Sequence, residues 1–321
     1  MKKGVIFPQL AIAAVAFLIF SLSAIPAMGQ QKIIFSTPIR TAVHADLPSA
    51  AAEQQGFWKQ MGLNVQWIPF GSGRAQSDAL AAGASNAGMT LSTSGIRGSA
   101  TGIPIMIVAD VKLRNDFFVW VPVKSRIRKP RDLKGTKIGV PRLGSAAHAY
   151  GTALGKKLGL GKEMRIVGTG GVRAAVAGLR KGAIDGVLLT QFIMFRLKHT
   201  GVVRDLVSLR DYLPKQWMDN VIVARKDFAA QRPSDLKKLL KGYKLATKFV
   251  MKNPDWAVNR MKTNLRYTES AARAIFPLLR WGDDWKTDPK ALKNVRDFLV
   301  EYGILRKSPK LETLYSNEFV S

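Results

Sequence analysis

The chain has 321 residues and no cysteine, with 50 lysines and arginines against 22 acidic residues, a formal net charge of +28. The missing cysteine excludes disulfides, thiol nucleophiles, iron–sulfur clusters and a cysteine lipid anchor, so the core alone must hold the fold, and the length suffices for two domains. The basic residues are scattered over polar helix positions without a long basic arm or an aromatic-interleaved patch, which reads as a solvated face or as steering of an anionic solute, not as nucleic-acid binding.

In chain order, "MKKGVIFPQLAIAAVAFLIFSLSAIPAMGQ" predicts a secretory signal peptide over residues 1–29. Lys2 and Lys3 form its charged start, Leu10 to Phe20 its apolar core, and Ala27 and Gly29 its small-residue cleavage site. That apolar core is short for a membrane span, and no later segment is long and apolar enough for one. "QKIIFSTP" predicts a first strand ending near Thr37, followed by a helix from about Leu47 to Met61 that Gly62 stops. "LNVQWIPF" alternates as a second strand. "GSGRAQSDALAAG" reads as a glycine turn opening a short helix. "NAGMTLS" and "PIMIVADV" read as third and fourth strands around the helical piece "TSGIRGSATG". Such alternation predicts a parallel sheet covered by helices.

The pattern restarts after "DFFVWVPVKS" and the charged turn "IRKPRDLKG". "KIGVP" predicts a strand, and a helix begins near Ser145. Strand "MRIVGTG", helix "VRAAVAGLRKG" and strand "IDGVLLTQ" follow. "NVIVARKDF" predicts a strand returning to the first lobe, and from Pro233 onward the chain is nearly all helical, with helix-starting breaks at Asn253–Pro254 and Asp288–Pro289. "SDALAAGASNAGMTLST" and "RAAVAGLRKGAIDGVLLTQ" share an order of helix, glycine, strand and small polar residues, as if one unit were used once in each lobe.

In open α/β sheets a ligand lies beyond the carboxyl ends of the strands. That rule selects Arg40, His44, Gly73, Arg74, Thr93 and Ser94 in the first lobe, and Ser145, His148, Gly171, Thr190 and Gln191 in the second. Small polar residues at helix starts offer backbone N–H groups and the positive end of the helix dipole to a carboxylate or sulfonate. Ordinary N-capping is the competing reading for each serine or threonine alone. Trp217 precedes "MDN" on a less regular stretch and is a candidate lid or stacking platform, with plain packing as the competing reading; Trp58, Trp67 and Trp120 read as core. "GSAAHAYGTALGKK" lacks the spacing of a phosphate loop, and "G-x-S-x-G" is absent. Three histidines supply no evident metal set, and Asp46, Asp110 and Asp116 read as turn or strand-end acids. No catalytic residue, metal or cofactor is expected.

The blocks "GFWKQMGLNVQWIPFGSGRAQSDALAAGASNAGMT", "GIPIMIVAD", "KPRDLKGTKIGVPRLGS" and "AVAGLRKGAIDGVLL", in this order, resemble the solute-binding proteins of ABC importers in the nitrate/sulfonate/taurine and thiamine-precursor-like group. The resemblance implies an α/β type II periplasmic-binding-protein fold: two lobes with mixed sheets covered by helices, joined by two crossing strands. It implies lobe one over 30–117 and 221–321 and lobe two over 118–220. It further implies a periplasmic monomer that closes over a small anionic solute and docks on an inner-membrane ABC permease. Asn86 stands where relatives commonly carry an acid, whereas the second copy keeps Asp185. The competing readings are a pyrimidine or thiamine-precursor binding or synthesis protein, and a periplasmic ligand sensor. Enzymes of the thiamine-precursor type carry a cysteine-rich active site, which this chain lacks.

Overall fold

Short apolar runs alternating with helical periods build two five-stranded sheets of identical plan. The computed structural model describes Met1 and residues 31–39, 42–111 and 114–320. The expected signal peptide, apart from Met1, and Arg40 lie outside the described residues. Ile33–Ser321 form one unit. The first sheet is fed by β1 (Ile33–Thr37), α1 (Val43–Gln54), the single turn α2 (Phe57–Gln60), β2 (Val65–Pro69), α3 (Gly73–Ala81), β3 (Ala87–Leu91), α4 (Ser92–Ala100) and β4 (Ile105–Asp110). The second follows with β5 (Phe117–Pro122), β6 (Lys137–Val140), α5 (Ala146–Lys157), β7 (Arg165–Gly168), α6 (Val172–Arg180), β8 (Gly186–Thr190), α7 (Gln191–His199) and β9 (Val203–Ser208). The chain then returns through β10 (Asn220–Arg225) to α8 (Lys226–Gln231), α9 (Pro233–Lys252), α10 (Pro254–Leu265), α11 (Glu269–Ile275) and α12 (Pro289–Glu301).

The strand orders are β2-β1-β3-β10-β4 and β7-β6-β8-β5-β9. The alternation alone predicted parallel sheets, but each sheet is mixed. In each, one strand delivered from the other lobe runs antiparallel to both neighbours: β10 between β3 and β4, and β5 between β8 and β9. Helix–strand periodicity cannot reveal this, because the odd strand follows no crossover helix of its own lobe.

The internal echo is a structural repeat. α3, β3 and α4 recur as α6, β8 and α7 with a constant shift of 99 residues (73 to 172, 87 to 186, 92 to 191). Asn86 Oδ1 accepts the Ile34 amide at 2.7 Å, and Asp185 Oδ2 accepts the Lys137 amide at 2.7 Å. The amide side chain at 86 thus does the acid's job of holding the neighbouring strand. The crossing strands repeat with a shift of 103: the register slips between Val119 and Trp120 in β5, and between Ile222 and Val223 in β10.

The helix expected from Leu47 to Met61 begins earlier, at Val43, and is cut at Gly56, whose φ of 70° suits glycine far better than a residue with a side chain. α7 and β9 had no clear sequence signal, since "QFIMFRLKH" mixes apolar and basic residues without a clean stripe and β9 exposes much of its length. Trp58, Trp67 and Trp120 are core residues; Trp58 packs on Phe35 and Tyr243 and donates its indole N–H to the Leu239 carbonyl at 3.1 Å. Asp46 is no turn acid. It lies fully buried in α1 and binds Arg260 of α10 through two hydrogen bonds of 2.9 and 3.2 Å.

Candidate functional site

The sequence places a helix directly after β3 and another directly after β8, with no loop between. Neither α4 nor α7 receives a side-chain N-cap. Their first amides go instead to the two chain crossings: Ser92 N–H donates to the Asp219 carbonyl and Gln191 N–H to the Asp116 carbonyl, both at 2.7 Å. Asp116 leads into β5 and Asp219 into β10, and they are repeat-related by the same 103-residue shift.

Both carboxyls are buried, 3% and 1% exposed. Burial pushes Asp116 up to about 7, opposed by the nearby Asp116 and Phe192 amides and the Arg210 charge. Burial, and then the charge of Asp116, push Asp219 well above the usual carboxylate range. The two crossings touch directly, since Asn115 beside Asp116 bonds the Asp219 side chain, and the two aspartate carbonyls in turn hold the starts of α7 and α4. Asn115 Nδ2 and Asn220 Nδ2 donate to the two oxygens of Asp219 at 2.9 and 2.8 Å. Neither oxygen of Asp116 has a hydrogen-bond partner; the amides beside it lie near without bonding geometry. Arg210 spends one N–H on the Asn115 carbonyl at 3.0 Å.

Three further buried polar atoms lack partners here: His44 Nδ1, Thr93 Oγ1 and the indole nitrogen of Trp217. His44, in the first turn of α1, packs its ring on Phe192 at 5.3 Å between centroids and neighbours the Asn220 side chain, and its Nδ1 is unpartnered. Burial drives His44 down to about 4, so the imidazole is neutral at pH 7. Thr93, the second residue of α4, keeps an unpartnered hydroxyl. Ser94 follows it, half-buried, and Thr190 with Gln191 forms the β8–α7 joint.

The remaining sequence candidates lie in other settings. Ser145 is an ordinary N-cap: its hydroxyl accepts the His148 amide, and donates to the Arg142 carbonyl at 2.7 Å. His148 Nδ1 accepts the Gly144 amide at 3.2 Å. Gly171 precedes α6 with a φ of 152°, and a side chain there would meet nothing within 4 Å. Gly73 opens α3, whose cap is Ser72. Arg74 was expected to face a ligand; it stands 68% exposed and turns back on Asp78, one helical turn away, at 2.8 Å. The i,i+4 spacing makes that the nearest carboxylate. Trp217 packs edge-on against Phe298, with Tyr150 at 6.2 Å, so its ring belongs to a wall.

The lobes touch on both sides of these crossings. Arg97 of α4 donates to the Gly144 carbonyl at 2.7 Å, just before α5. On the other side the Tyr267 hydroxyl donates to the Phe192 carbonyl at 2.7 Å, and His199 Nε2 pairs with the Ser270 hydroxyl at 2.9 Å. Sequence reasoning missed Asp116, Asp219, Asn115 and Asn220. The one signal was the pair of matching steps "NDFF" and "MDNV", an aspartate one residue before or at the entry of each crossing strand.

Among the described residues no group of three or more histidines, cysteines, aspartates and glutamates could hold a metal ion, and no helix is long and apolar enough to cross a membrane. The sheet orders, the two crossings and the helix starts between them define a type II periplasmic-binding-protein fold. Residues 45–257 match the family described as "NMT1/THI5 like", and the chain belongs to that family. It is similar to the taurine-binding periplasmic protein of Escherichia coli, 27% identical over 249 residues, covering 76% of this chain and 72% of the relative. The alkanesulfonate-binding protein of Xanthomonas axonopodis pv. citri, solved with MOPS bound, superposes with a TM-score of 0.76 at 16% identity over 89% of this chain and 97% of its own. The desulfurization enzyme DszB shares the fold at a TM-score of 0.63 and 16% identity, over 90% of this chain and 97% of its own. Fold alone therefore does not separate binding from catalysis; the residues at the site must.

Proposed function

We propose that this chain is the extracytoplasmic solute-binding component of an ABC importer, and that it captures a small anionic organic solute, of sulfonate or carboxylate type, between its lobes. The observation that carries this reading is the meeting of two helix starts without side-chain caps, one from each lobe, at the chain crossings. First-turn amides have no acceptor within their own helix, and the dipole adds positive potential, so such a start suits an anion. The first-turn amides of α4 and the free Thr93 hydroxyl are the donors we assign to the anionic head. Arg74 plays no part. The family membership and the named activities of the relatives support a binding role. So does the chemistry: the sequence has no cysteine, the Ser145 hydroxyl is spent on a carbonyl, and among the described residues its neighbour His148 accepts the Gly144 amide rather than the serine hydroxyl.

The mechanism is capture coupled to closure. A solute bridging both lobes favours the approached form through its differential affinity. We assign lobe one to 30–117 and 221–321 and lobe two to 118–220, with a periplasmic monomer delivering its solute to a membrane permease. Thermal melting of the chain from Gln30 onward, against alkyl and aryl sulfonates, nitrate, carboxylates and pyrimidines, tests the reading. A bound solute raises the melting point as RT ln(1 + [L]/Kd) requires. A shift with sulfonates or carboxylates, lost in Thr93→Val, is the expected result. Shifts with pyrimidines alone, or with nothing in the panel, would overturn it.

A further inference from the structure

We infer that the far end of the second sheet, remote from the crossings, docks on the headgroup surface of an anionic lipid bilayer. The strand register defines that end. β5 begins beside Asp116 and finishes at Pro122, opposite Val203 of β9, while β6, β7 and β8 all begin there, with Lys137 beside Arg165 and Ile138 beside Gly186. The length of β8 sets this end about 16 Å from the crossings, so the surface is separate from the cleft. The loop that leaves β5, residues 123–137, holds seven basic residues against the single acid Asp132. Lys124, Arg126, Arg128, Lys129 and Arg131 are exposed, and none of them makes an ion pair among the described residues, whereas Lys134 pairs with Glu163 at 3.2 Å.

The loop is pinned to the sheet. Asp132 Oδ2 accepts the Arg128 and Lys129 amides at 2.8 and 3.1 Å, Leu133 is buried, and the Arg204 guanidinium of β9 donates to the Ile127 carbonyl. The one acid of the loop is thus turned onto backbone amides, and the cations are displayed on a fixed frame. Asp185, at the same end, is likewise engaged by the Lys137 amide. Next to the loop, Val123 and Val202 stand 40% and 39% exposed and meet through the Val123 amide and the Val202 carbonyl at 3.2 Å. An exposed apolar pair beside unpaired cations fits the boundary between headgroups and acyl chains: the long basic side chains reach phosphates while the valines enter the interface. A soluble polyanion would answer the cations and leave the valines in water. Nucleic acid would find no aromatic residue in 123–137 on which to stack a base. The contrast is α9, where Lys237, Lys241 and Lys248 line one exposed face without an exposed large apolar side chain among them.

Co-sedimentation of the chain from Gln30 onward with sucrose-loaded vesicles tests this, using phosphatidylcholine alone and an equal mixture of phosphatidylcholine and phosphatidylglycerol. Binding to the mixed vesicles only, weakening as salt is raised, is the expected result, and it is read on the unaltered protein. Each cation held near an anionic surface strengthens binding about five-fold, so Lys124→Gln/Arg126→Gln/Lys129→Gln should weaken it about a hundred-fold. Lys237→Gln/Lys241→Gln/Lys248→Gln removes the same charge from α9 and should bind nearly as the parent does. Val123→Ser/Val202→Ser should weaken vesicle binding and leave binding to heparin, a soluble polyanion, unchanged. Melting points close to the parent's show that each variant is folded. Equal binding to both vesicle types, equal losses in the two triple variants, a serine variant that holds vesicles as the parent does, or binding to heparin without binding to vesicles would each overturn the inference. None of these outcomes bears on solute capture in the cleft.

Discussion

Replacing Asp46 by alanine strands a guanidinium in the core. Arg260 is 8% exposed and Asp46 fully buried, and their two hydrogen bonds tie α1 to α10 across 214 positions of sequence. Removing one partner of such a pair costs about 3–5 kcal/mol, since the remaining charge is left uncompensated. The Arg260 guanidinium also lies 5.8 Å from the Trp67 ring centre, which returns about 0.5–1 kcal/mol to the orphaned cation and places the expectation toward the lower end. At roughly 2.1 cal/mol/K per residue the unfolding entropy of this chain is about 0.6 kcal/mol/K, so a loss of about 3 kcal/mol lowers the melting point by about 5 °C. Urea unfolding followed by circular dichroism gives the free energy, and calorimetry the melting point. The double variant Asp46→Leu/Arg260→Met should recover most of the loss, because an apolar pair of similar volume carries no desolvation cost. A loss below about 1 kcal/mol in Asp46→Ala, or a double variant no more stable than the single, would refute the assignment of this pair as a buried, charged tie.

Arg97→Ala removes the bond from α4 to the Gly144 carbonyl; for a half-buried charged donor this is worth about 1–2 kcal/mol, and it should shift the lobes toward a splayed form by roughly 5- to 30-fold. Small-angle scattering without solute should then show a larger radius of gyration, and an unchanged curve would mean the contact does not hold the lobes together. Asp116→Asn should gain stability relative to the parent as pH rises from about 4 to about 7. The folded pKa of Asp116 is raised to about 7 by burial, so between about 4 and 7 the native state holds its proton while the unfolded chain gives it up, and that ionisation of the unfolded chain draws stability from the parent that the asparagine variant does not lose. Parallel pH profiles for the two proteins in denaturant unfolding would contradict the raised value.

The sequence made the lobes legible because their signals are local. Alternating apolar runs, glycine stops and the "GAIDG" and "GASNAG" echoes each lie within a few residues, and Ser145 marked its helix start to the residue. The crossing strands could be read only in part, since antiparallel insertion of β5 and β10 depends on partners about 70 to 130 positions away. The candidate site divided along the same line. His44, Thr93 and Thr190 followed from the rule about strand ends and lie by the crossings. Arg74 did not, because its choice between a ligand and Asp78 is made by rotamer and spacing rather than by position in the fold. Asp116 reads in the sequence as a strand-end acid because nothing near it shows that Asp219, 103 positions on, is its counterpart.

The repeat explains why the polar groups gather at the crossings rather than along the rims. Two copies of one α–β–α unit, 99 residues apart, are each completed by a strand borrowed from the other's side of the chain. The residue at which each borrowed strand begins must therefore bond the adjacent helix start, and both aspartates do so through their carbonyls. Their side chains are brought inward together as a consequence of that backbone duty. Two identical buried acids at close quarters resist ionising together. Asparagines 115 and 220 relieve one of them, Asp219, and leave the oxygens of Asp116 without a partner. A symmetric scaffold thus acquires an asymmetric pair of buried acids, one hydrogen-bonded and one not.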